Sequence, residues 1–174
     1  MTTTFDALGL PALVLNAIQR VGFKIPTPIQ AAAIPLVMKG HDVLGSAQTG
    51  TGKTAAFGLP MIARLMAEPR SMGLVMTPTR ELAAQVLSTL QPLLTGSQIR
   101  TALLIGGESM HKQLQQLRQR PRIIVGTPGR INDHLEQRTL NLSAANFLVL
   151  DETDRMLDMG FGVQIDRILR HMPQ

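Results

Sequence analysis

The sequence of 174 residues contains no cysteine, tryptophan or tyrosine. Without cysteine the chain can form neither a disulfide nor a thiolate metal site, and it offers no thiol nucleophile. Five phenylalanines are too few for a platform that stacks on nucleic-acid bases. No apolar run approaches the roughly 18 residues that span a bilayer, and the start, MTTTFDALGL, lacks the pattern of a secretory signal. We therefore expect a soluble, cytoplasmic protein.

Acidic residues are outnumbered, with 12 Asp+Glu against 17 Lys+Arg and a net charge of +5. This balance permits nucleic-acid binding without establishing it, and any nucleic acid would be held mainly by its backbone. The basic run at residues 111–122 fits a solvated helix face as well as a phosphate track. The histidines show no metal-ligand spacing and are interpreted as structural: His41, His111, His134 and His171.

Short apolar runs alternate with helical patterns along most of the chain. The runs predict buried strands at residues 42–47, 73–78, 101–106, 122–128 and 147–150. The patterns between them predict helices at about residues 53–66, 80–94, 109–118 and 128–136. This alternation predicts an α/β fold with a largely parallel sheet flanked by helices on both faces. Ligands of such sheets bind beyond the carboxyl ends of the strands.

Two helices are predicted ahead of the sheet. The first has an apolar stripe at Leu13, Leu15, Ala17, Ile18 and Val21. The second begins at Pro28, is capped by Thr27 and ends at Gly40. Pro35 should kink or restart that second helix because proline has no N–H group to donate.

The stretch AQTGTGKT, residues 47–54, follows a predicted strand and opens a predicted helix. It is close to the phosphate-loop pattern G-x-x-x-x-G-K-[ST], with alanine in place of the first glycine. Gly50 and Gly52 allow backbone N–H groups to face phosphate oxygens, and the helix N-terminus adds its positive end. Lys53 would reach the terminal phosphates, and the Thr54 hydroxyl would ligate Mg²⁺. The alternative is a flexible turn with a solvated lysine.

An apolar run ends in adjacent carboxylates in the stretch FLVLDETDRM, residues 147–156. Like charges at this spacing repel, so a positive partner is expected nearby. A magnesium ion on the outer phosphates would be that partner, with Asp151 as its carboxylate ligand. Glu152 would then orient or deprotonate the attacking water. A solvated acidic loop is the alternative.

Six segments occur together in one order, which is GFKIPTPIQ (22–30), AQTGTGKT (47–54), PTRELA (78–83), GG (106–107), TPGR (127–130) and DETD (151–154). Over nearly its whole length the chain strongly resembles the first, N-terminal RecA-like domain of DEAD-box ATP-dependent RNA helicases. The resemblance implies one ATP-binding domain over residues 1–174, with a helical adenine-recognition segment at 1–40 and a P-loop core at 41–174. It also implies a second RecA-like domain that this chain lacks.

The resemblance implies binding of ATP or ADP with Mg²⁺. The implied nucleotide-binding residues are Phe23, Lys24, Thr27, Gln30, Gln48, Thr49, Gly50, Thr51, Gly52, Lys53 and Thr54. The implied catalytic residues are Lys53, Asp151 and Glu152, and the implied magnesium ligands are Thr54 and Asp151. A glutamine carboxamide can match adenine N6 and N7, although by sequence alone Gln30 is an ordinary helix-surface residue and Phe23 a core residue. Phe5, an isolated upstream aromatic, is interpreted as structural.

The resemblance further implies that three loops hold the sugar-phosphate backbone of RNA. Their residues are Pro78, Thr79, Arg80, Gly106, Gly107, Thr127, Pro128, Gly129 and Arg130. Because the loops follow three different strands, they can converge on one edge of the sheet, where N–H groups and hydroxyls bind phosphates. Contacts to 2′-hydroxyls could favour RNA over DNA. Each loop also has a plain alternative as a helix start or a turn, and either arginine could instead brace neighbouring loops.

The chain departs from the family pattern at Thr153, where alanine is usual. We expect Thr153 to affect unwinding more than ATP affinity. Since the second domain would supply arginines to the ATP site, we expect this chain to bind adenine nucleotides but to hydrolyse ATP poorly. The alternatives to a helicase lobe are a stand-alone nucleotide- or RNA-binding module and an unrelated P-loop ATPase. The segment PTPIQ, residues 26–30, argues against the second alternative.

Overall fold

The computed structural model describes residues 3–45 and 51–173. The chain forms two compact units. The first unit consists of Met1–Pro69 and Ser88–Gln98, and the second of Arg70–Leu87 and Ile99–Gln174. None of the described helices has both the length and the apolar composition needed to cross a membrane. The predicted nucleotide-binding residues fall in the first unit, and the acidic motif and the predicted RNA-binding loops fall in the second.

The described part of the first unit is helical. It contains a 3-10 helix at Phe5–Leu8, then α1 (Ala12–Val21), α2 (Pro28–Met38) and α3 (Thr51–Ala67). α1 ends where Gly22 adopts φ +85°, a left-handed backbone that lets the Phe23 N–H donate to the Ile18 carbonyl over 3.1 Å. α2 begins with a capping box in which Thr27 and Gln30 each bond the other's backbone N–H. The predicted start of α2 is confirmed. Phe5 is buried, as expected of a structural residue.

The predicted apolar stripe of α1 is wrong in part. Leu13 is 63% exposed, whereas Val14, Ala17 and Ile18 are buried. The buried residues are spaced three and four apart and share one helix face, and Leu13 is rotated by about 100° from Val14. The buried face of α1 therefore includes fewer residues than the number of apolar residues in its sequence indicates.

Pro35 does not restart α2, which runs continuously to Met38. Proline removes one backbone donor from the helix interior. The turns that follow are closed by the N–H groups of Lys39 and His41, which donate to the carbonyls of Pro35 and Leu36 over 3.2 and 3.0 Å. Backbone hydrogen bonding therefore continues after Pro35 although its own donor is missing.

The strand predicted at residues 42–47 is wrong over its described part. Residues 42–45 have no regular secondary structure and all are exposed, with Leu44 uncovered altogether. Only Val43 and Leu44 are apolar in this part, which is too short a run to favour burial between neighbouring strands. Residues 46 and 47 lie outside the described part of the chain.

A four-stranded, all-parallel sheet forms the centre of the second unit. Its strands are β1 (Met72–Met76), β2 (Thr101–Leu104), β3 (Ile123–Gly126) and β4 (Ala145–Leu150), in the spatial order β2-β3-β1-β4. α4 (Arg80–Leu93) begins in this unit, and α5 (Met110–Arg118), α6 (Pro128–Glu136), α7 (Thr153–Asp158) and α8 (Gly162–Leu169) belong to it. The predicted α/β fold with a parallel sheet flanked by helices is confirmed. β4 is the outermost of the described strands next to β1, and Phe147–Leu150 are only half-buried rather than buried as predicted.

One core cluster of the second unit lies on one face of its sheet. Alternate residues such as Leu74 and Met76 of β1 point to this face, together with Leu104 of β2 and Ile124 of β3. They pack against apolar residues of α6, α7 and α8, namely Ile131, Leu135, Met156, Ile165 and Ile168. The predicted RNA-binding loops and the acidic motif follow the carboxyl ends of these strands.

Candidate nucleotide and RNA sites

Gln30 joins the start of α2 to the start of α3 within the first unit. Its Nε2 donates to the Gly52 carbonyl over 3.0 Å, and its Oε1 accepts from the Thr27 N–H over 3.0 Å. The Gln30 N–H donates in turn to the Thr27 hydroxyl over 3.4 Å. Gln30 is buried, so its interpretation as a helix-surface residue is wrong. The capping role predicted for Thr27 is confirmed.

The chain passes close to the first turn of α2 on both sides of residues 46–50. A Cβ added at Gly52 would lie 3.2 Å from Thr27 Cγ2, and one added at Gly45 would lie 3.2 Å from Ile29 Cδ1. Both contacts are tight, so a side chain at either glycine would require the neighbouring side chain of α2 to shift slightly. Three predicted phosphate-binding residues lie outside the described part of the chain, namely Gln48, Thr49 and Gly50.

α3 begins at Thr51, two residues before the predicted start, which places Lys53 and Thr54 in its first turn. Lys53 is half-buried and Thr54 is buried. The first N–H groups of a helix lack partners within it and form a positive end that attracts phosphate. Of the remaining predicted nucleotide residues, Phe23 is half-buried and Lys24 is exposed directly after α1.

The predicted RNA-binding loops and the acidic motif leave one edge of the sheet in the second unit. The ladder continues one residue past each strand: the N–H groups of Thr127, Thr77 and Asp151 donate to carbonyls of Leu104, Gly126 and Met76 over 3.1, 3.0 and 2.9 Å. Ile105, Thr127, Thr77 and Asp151 therefore form a row across β2, β3, β1 and β4. The predicted convergence of the three loops on one sheet edge is confirmed.

The acidic motif forms a tight turn between β4 and α7. Asp151 is buried, while Glu152 adopts φ +55° and ψ 53°, the left-handed conformation. Such a backbone costs a residue other than glycine about 1–2 kcal/mol. The Thr153 hydroxyl donates to the Leu150 carbonyl over 3.2 Å and so closes the turn. Arg155 approaches Glu152 to 3.8 Å on the outside of the turn.

The Gly106–Gly107 turn lies between two arginines. Gly107 has φ +78°, and a Cβ added there would overlap the Arg80 guanidinium. On the other side, Arg130 Nη1 donates to the Glu108 carbonyl over 3.0 Å. Both arginines thus contact the turn, which agrees with the alternative in which they brace neighbouring loops. Bracing does not exclude contact with RNA, since Arg80 is largely exposed.

Two helices begin at this edge with different uses of their threonines. The Thr79 hydroxyl accepts from the Leu82 N–H over 3.2 Å and so caps α4, while Thr77 Oγ1 donates to the Thr79 carbonyl over 3.1 Å. Thr127 is the N-cap of α6, yet within the described residues its hydroxyl makes no capping bond. Pro128 follows at the first position of α6, as predicted. The Thr127 hydroxyl is therefore not used as a cap as the Thr79 hydroxyl is, although Thr127 is itself buried.

Sequence reasoning missed a buried polar pair, Gln113 of α5 and His134 of α6. Gln113 Oε1 lies 2.7 Å from His134 Nε2, and both side chains are buried. Burial, followed by the positive charge of Arg130, lowers the pKa of His134, and the Asp133 carboxylate opposes that shift. His134 is thus structural, as interpreted. No local pattern identifies its partner, because the two residues meet only after α5 and α6 pack together.

Within the described residues, no three His, Cys, Asp or Glu side chains gather as a metal site. The predicted magnesium ligands are oxygen donors, the Thr54 hydroxyl and the Asp151 carboxylate. Mg²⁺ prefers oxygen and is commonly held by one or two protein groups together with phosphates and waters. The chemistry of each donor, taken by itself, therefore fits magnesium brought in with a nucleotide.

Comparison with known proteins agrees with this arrangement. The model of the DEAD/DEAH box helicase family matches residues 27–174, and the chain belongs to that family. It is 47% identical over 172 residues to the DEAD-box ATP-dependent RNA helicase CshA of Geobacillus kaustophilus, covering 98% of this chain and 37% of that protein. It is 44% identical over 176 residues to the ATP-dependent rRNA helicase RRP3 of Ajellomyces capsulatus, covering 100% of this chain and 36% of that protein.

A solved structure is similar as well. The crystal structure of a DEAD box protein from the hyperthermophile Methanococcus jannaschii matches with a TM-score of 0.90 and 38% identity. The match covers 98% of this chain and 47% of that one. The chain thus spans little more than a third of the length of the curated relatives above and about half of this structural neighbour.

Proposed function

We propose that this chain is the nucleotide-binding lobe of an ATP-dependent RNA helicase, which couples ATP binding and hydrolysis to local unwinding of RNA duplexes. The observation that carries the proposal is the row at the sheet edge of the second unit. There Asp151, the proposed metal ligand, follows β4 while the proposed RNA-binding loops follow β2, β3 and β1. The proposed metal ligand and the proposed contacts to RNA would then depend on one sheet.

Adenine recognition is assigned to Gln30, with Phe23 stacking on the ring. A carboxamide can donate two hydrogen bonds and accept two. Gln30 uses one donor on the Gly52 carbonyl and one acceptor on the Thr27 N–H. One donor and one acceptor therefore remain, which is the pair that adenine N7 and N6 require. Lys24 and Thr27 complete this part of the proposed site.

Phosphate binding is assigned to residues 48–54, where Lys53 and the first turn of α3 supply positive charge. Thr54 and Asp151 are the proposed protein ligands of Mg²⁺. A bound magnesium ion neutralises developing charge on the phosphates. Glu152 would orient or deprotonate the attacking water.

RNA is assigned to the three loops at the sheet edge, through its sugar-phosphate backbone. The supporting features are the α4 and α6 helix starts, the Thr127 hydroxyl and the exposed Arg80 and Gly107. The remaining proposed contacts are Pro78, Thr79, Gly106, Pro128, Gly129 and Arg130. We also propose a single-domain organisation over residues 1–174, a cytoplasmic location, and a second RecA-like domain as the partner in catalysis.

Titration with a fluorescent ADP analogue and Mg²⁺ tests the nucleotide site. Lys53→Ala should weaken binding about tenfold or more, because a charge-assisted contact to phosphate is lost. Lys39→Ala is the matched control, since Lys39 is an exposed lysine after α2 and should not alter affinity. Equal affinities for all three proteins would contradict the nucleotide assignment.

An ATPase assay tests the expected division of labour between two domains. Hydrolysis by this chain should stay very slow with or without RNA. Rapid turnover stimulated by RNA would show that the chain needs no second domain.

A further inference from the structure

A buried network of polar side chains connects α5 and α6 to the Gly106–Gly107 turn. Gln113 is 1% exposed and His134 is 0% exposed. Gln113 Nε2 donates to the Ile105 carbonyl over 2.8 Å, and its Oε1 meets His134 Nε2 at 2.7 Å and Arg130 Nη1 at 3.2 Å. His134 Nδ1 lies 2.8 Å from Thr139 Oγ1. Gln113 therefore joins three segments, which are α5, α6 and the loop after β2.

The partners in this network determine which atoms donate and which accept. Arg130 can only donate, so the atom of Gln113 that faces it must be the carboxamide oxygen. The Gln113 amide then donates to the Ile105 carbonyl, and His134 must present its Nε2–H to the same oxygen. The opposite orientation of the carboxamide would set an NH₂ group against Arg130 and an oxygen against a carbonyl. His134 is therefore the Nε2–H tautomer, in which the Thr139 hydroxyl donates its one proton to Nδ1 rather than to the His134 carbonyl at 3.1 Å.

Two carbonyls that flank the glycine turn accept hydrogen bonds from side chains. Ile105 is held by Gln113, and Glu108 is held by Arg130. All peptide bonds of the described chain are trans, so each N–H points opposite to the carbonyl of its own peptide unit. The Gly106 N–H must then point away from Gln113, and the Ser109 N–H away from Arg130.

We propose that Gln113, oriented by His134, is a positioning residue for RNA binding, which turns the backbone N–H groups of the 105–109 segment outward toward phosphate. The inference rests on the assignment of RNA to the sheet-edge loops and adds the reason why that turn presents donors. Gln113 itself touches no RNA. It acts on Ile105 and Arg130, and through Arg130 on Glu108.

Substitution of Gln113 tests the proposal against a matched glutamine on the same helix. Gln116 also spends its side chain on one backbone group, accepting from the Leu103 N–H over 2.8 Å, but it does not contact the glycine turn. Gln113→Met should raise the Kd for single-stranded RNA about fivefold, as expected when one hydrogen bond ceases to hold the turn. Gln116→Met should lower stability without changing that Kd. Fluorescence anisotropy with a labelled oligonucleotide at fixed salt measures both.

Amide chemical shifts and the His134 variants separate positioning from folding. In Gln113→Met the amide chemical shifts of Gly106 and Ser109 should change, whereas in Gln116→Met they should not. His134→Gln keeps a donor for Gln113 and should keep RNA affinity, while His134→Leu removes the donor and should lose it to the same degree as Gln113→Met. The histidine pair decides the question even if Gln113→Met does not fold.

Two outcomes would overturn the proposal in distinguishable ways. If the unmodified chain binds RNA but Gln113→Met and His134→Leu bind it equally well, the positioning role is wrong and the RNA assignment survives. If the unmodified chain binds no RNA at low salt, while binding an adenine nucleotide, the RNA assignment of the loops fails and the positioning role fails with it.

Discussion

Gln30 Nε2 donates a hydrogen bond to the Gly52 carbonyl over 3.0 Å, so the proposed base-recognition segment is fastened to the first turn of the helix that should bind phosphate. The same side chain accepts from the Thr27 N–H and closes the cap of α2. Gln30 is therefore part of the folded framework before any nucleotide binds. A residue that served only adenine would be indifferent to folding in the absence of ligand.

Gln30→Ala should destabilise the nucleotide-free chain by about 1–3 kcal/mol, because it removes two hydrogen bonds and leaves partly buried backbone groups without their partner. Urea denaturation followed by circular dichroism measures the change. Gln91→Ala is the control, since Gln91 is exposed on α4 and should change stability by less than about 0.5 kcal/mol. An unchanged unfolding midpoint in Gln30→Ala would refute the structural role.

Thr153→Ala should cost about 1 kcal/mol, because the hydroxyl that donates to the Leu150 carbonyl is lost. Thr153→Ser keeps the donor and should retain most of that stability, so thermal melting of the pair isolates the hydrogen bond. In a full-length relative with the same turn, we expect the alanine variant to change unwinding more than ATP affinity. Equal unwinding by both forms would remove the functional part of this expectation.

Gly107→Ala should both strain the backbone and displace Arg80. The left-handed φ of +78° is costly for alanine, and the added Cβ would overlap the guanidinium. We expect a loss of about 1–2 kcal/mol in stability and weaker RNA binding. Gly106→Ala is a close control for stability, since a Cβ added at Gly106 meets nothing within 4 Å. Similar losses at the two positions would show that the overlap with Arg80 is unimportant.

Stability should fall as pH decreases below about 6.5, the ordinary pKa of histidine, because the pKa of His134 is lowered in the folded chain. Below that pH His134 is protonated in the unfolded chain but stays neutral in the folded chain. The resulting loss in the free energy of unfolding grows until the pH reaches the folded pKa. Burial and the Arg130 charge disfavour the imidazolium, Asp133 favours it, and Gln113 and Thr139 are the uncharged contacts. His134→Gln should flatten the stability profile between pH 5 and 7, measured by urea denaturation. A profile of unchanged slope would show that another group is responsible.

Much of the fold could be predicted from the sequence because helix starts and apolar spacing are local signals. The helix predicted at 128–136 has the observed bounds, since Pro128 opens it and the apolar spacing continues to Leu135. The loops at the sheet edge could be placed together because parallel strands end on the same side. By contrast, Leu44 is apolar yet exposed, and Leu13 lies just outside the buried face of its helix. Burial at such positions depends on neighbours that no short window contains.

The candidate site was predictable as residue types but not as contacts. Gln30 could be singled out only through the family pattern, and its bond to Gly52 depends on how α2 packs on α3. The partnership of Gln113 and His134 links positions 21 residues apart on different helices. A polar residue at a buried position looks like any other glutamine or histidine until its partner is known.

The backbone at Glu152 has a consequence for protein engineering. Selection for heat resistance alone would favour glycine at this left-handed position, since glycine adopts it without steric penalty. Under the proposed function that replacement removes the carboxylate that activates water. Position 152 is therefore a place where thermal robustness and turnover are in conflict, and a library screened only for survival on heating should accumulate inactive clones there.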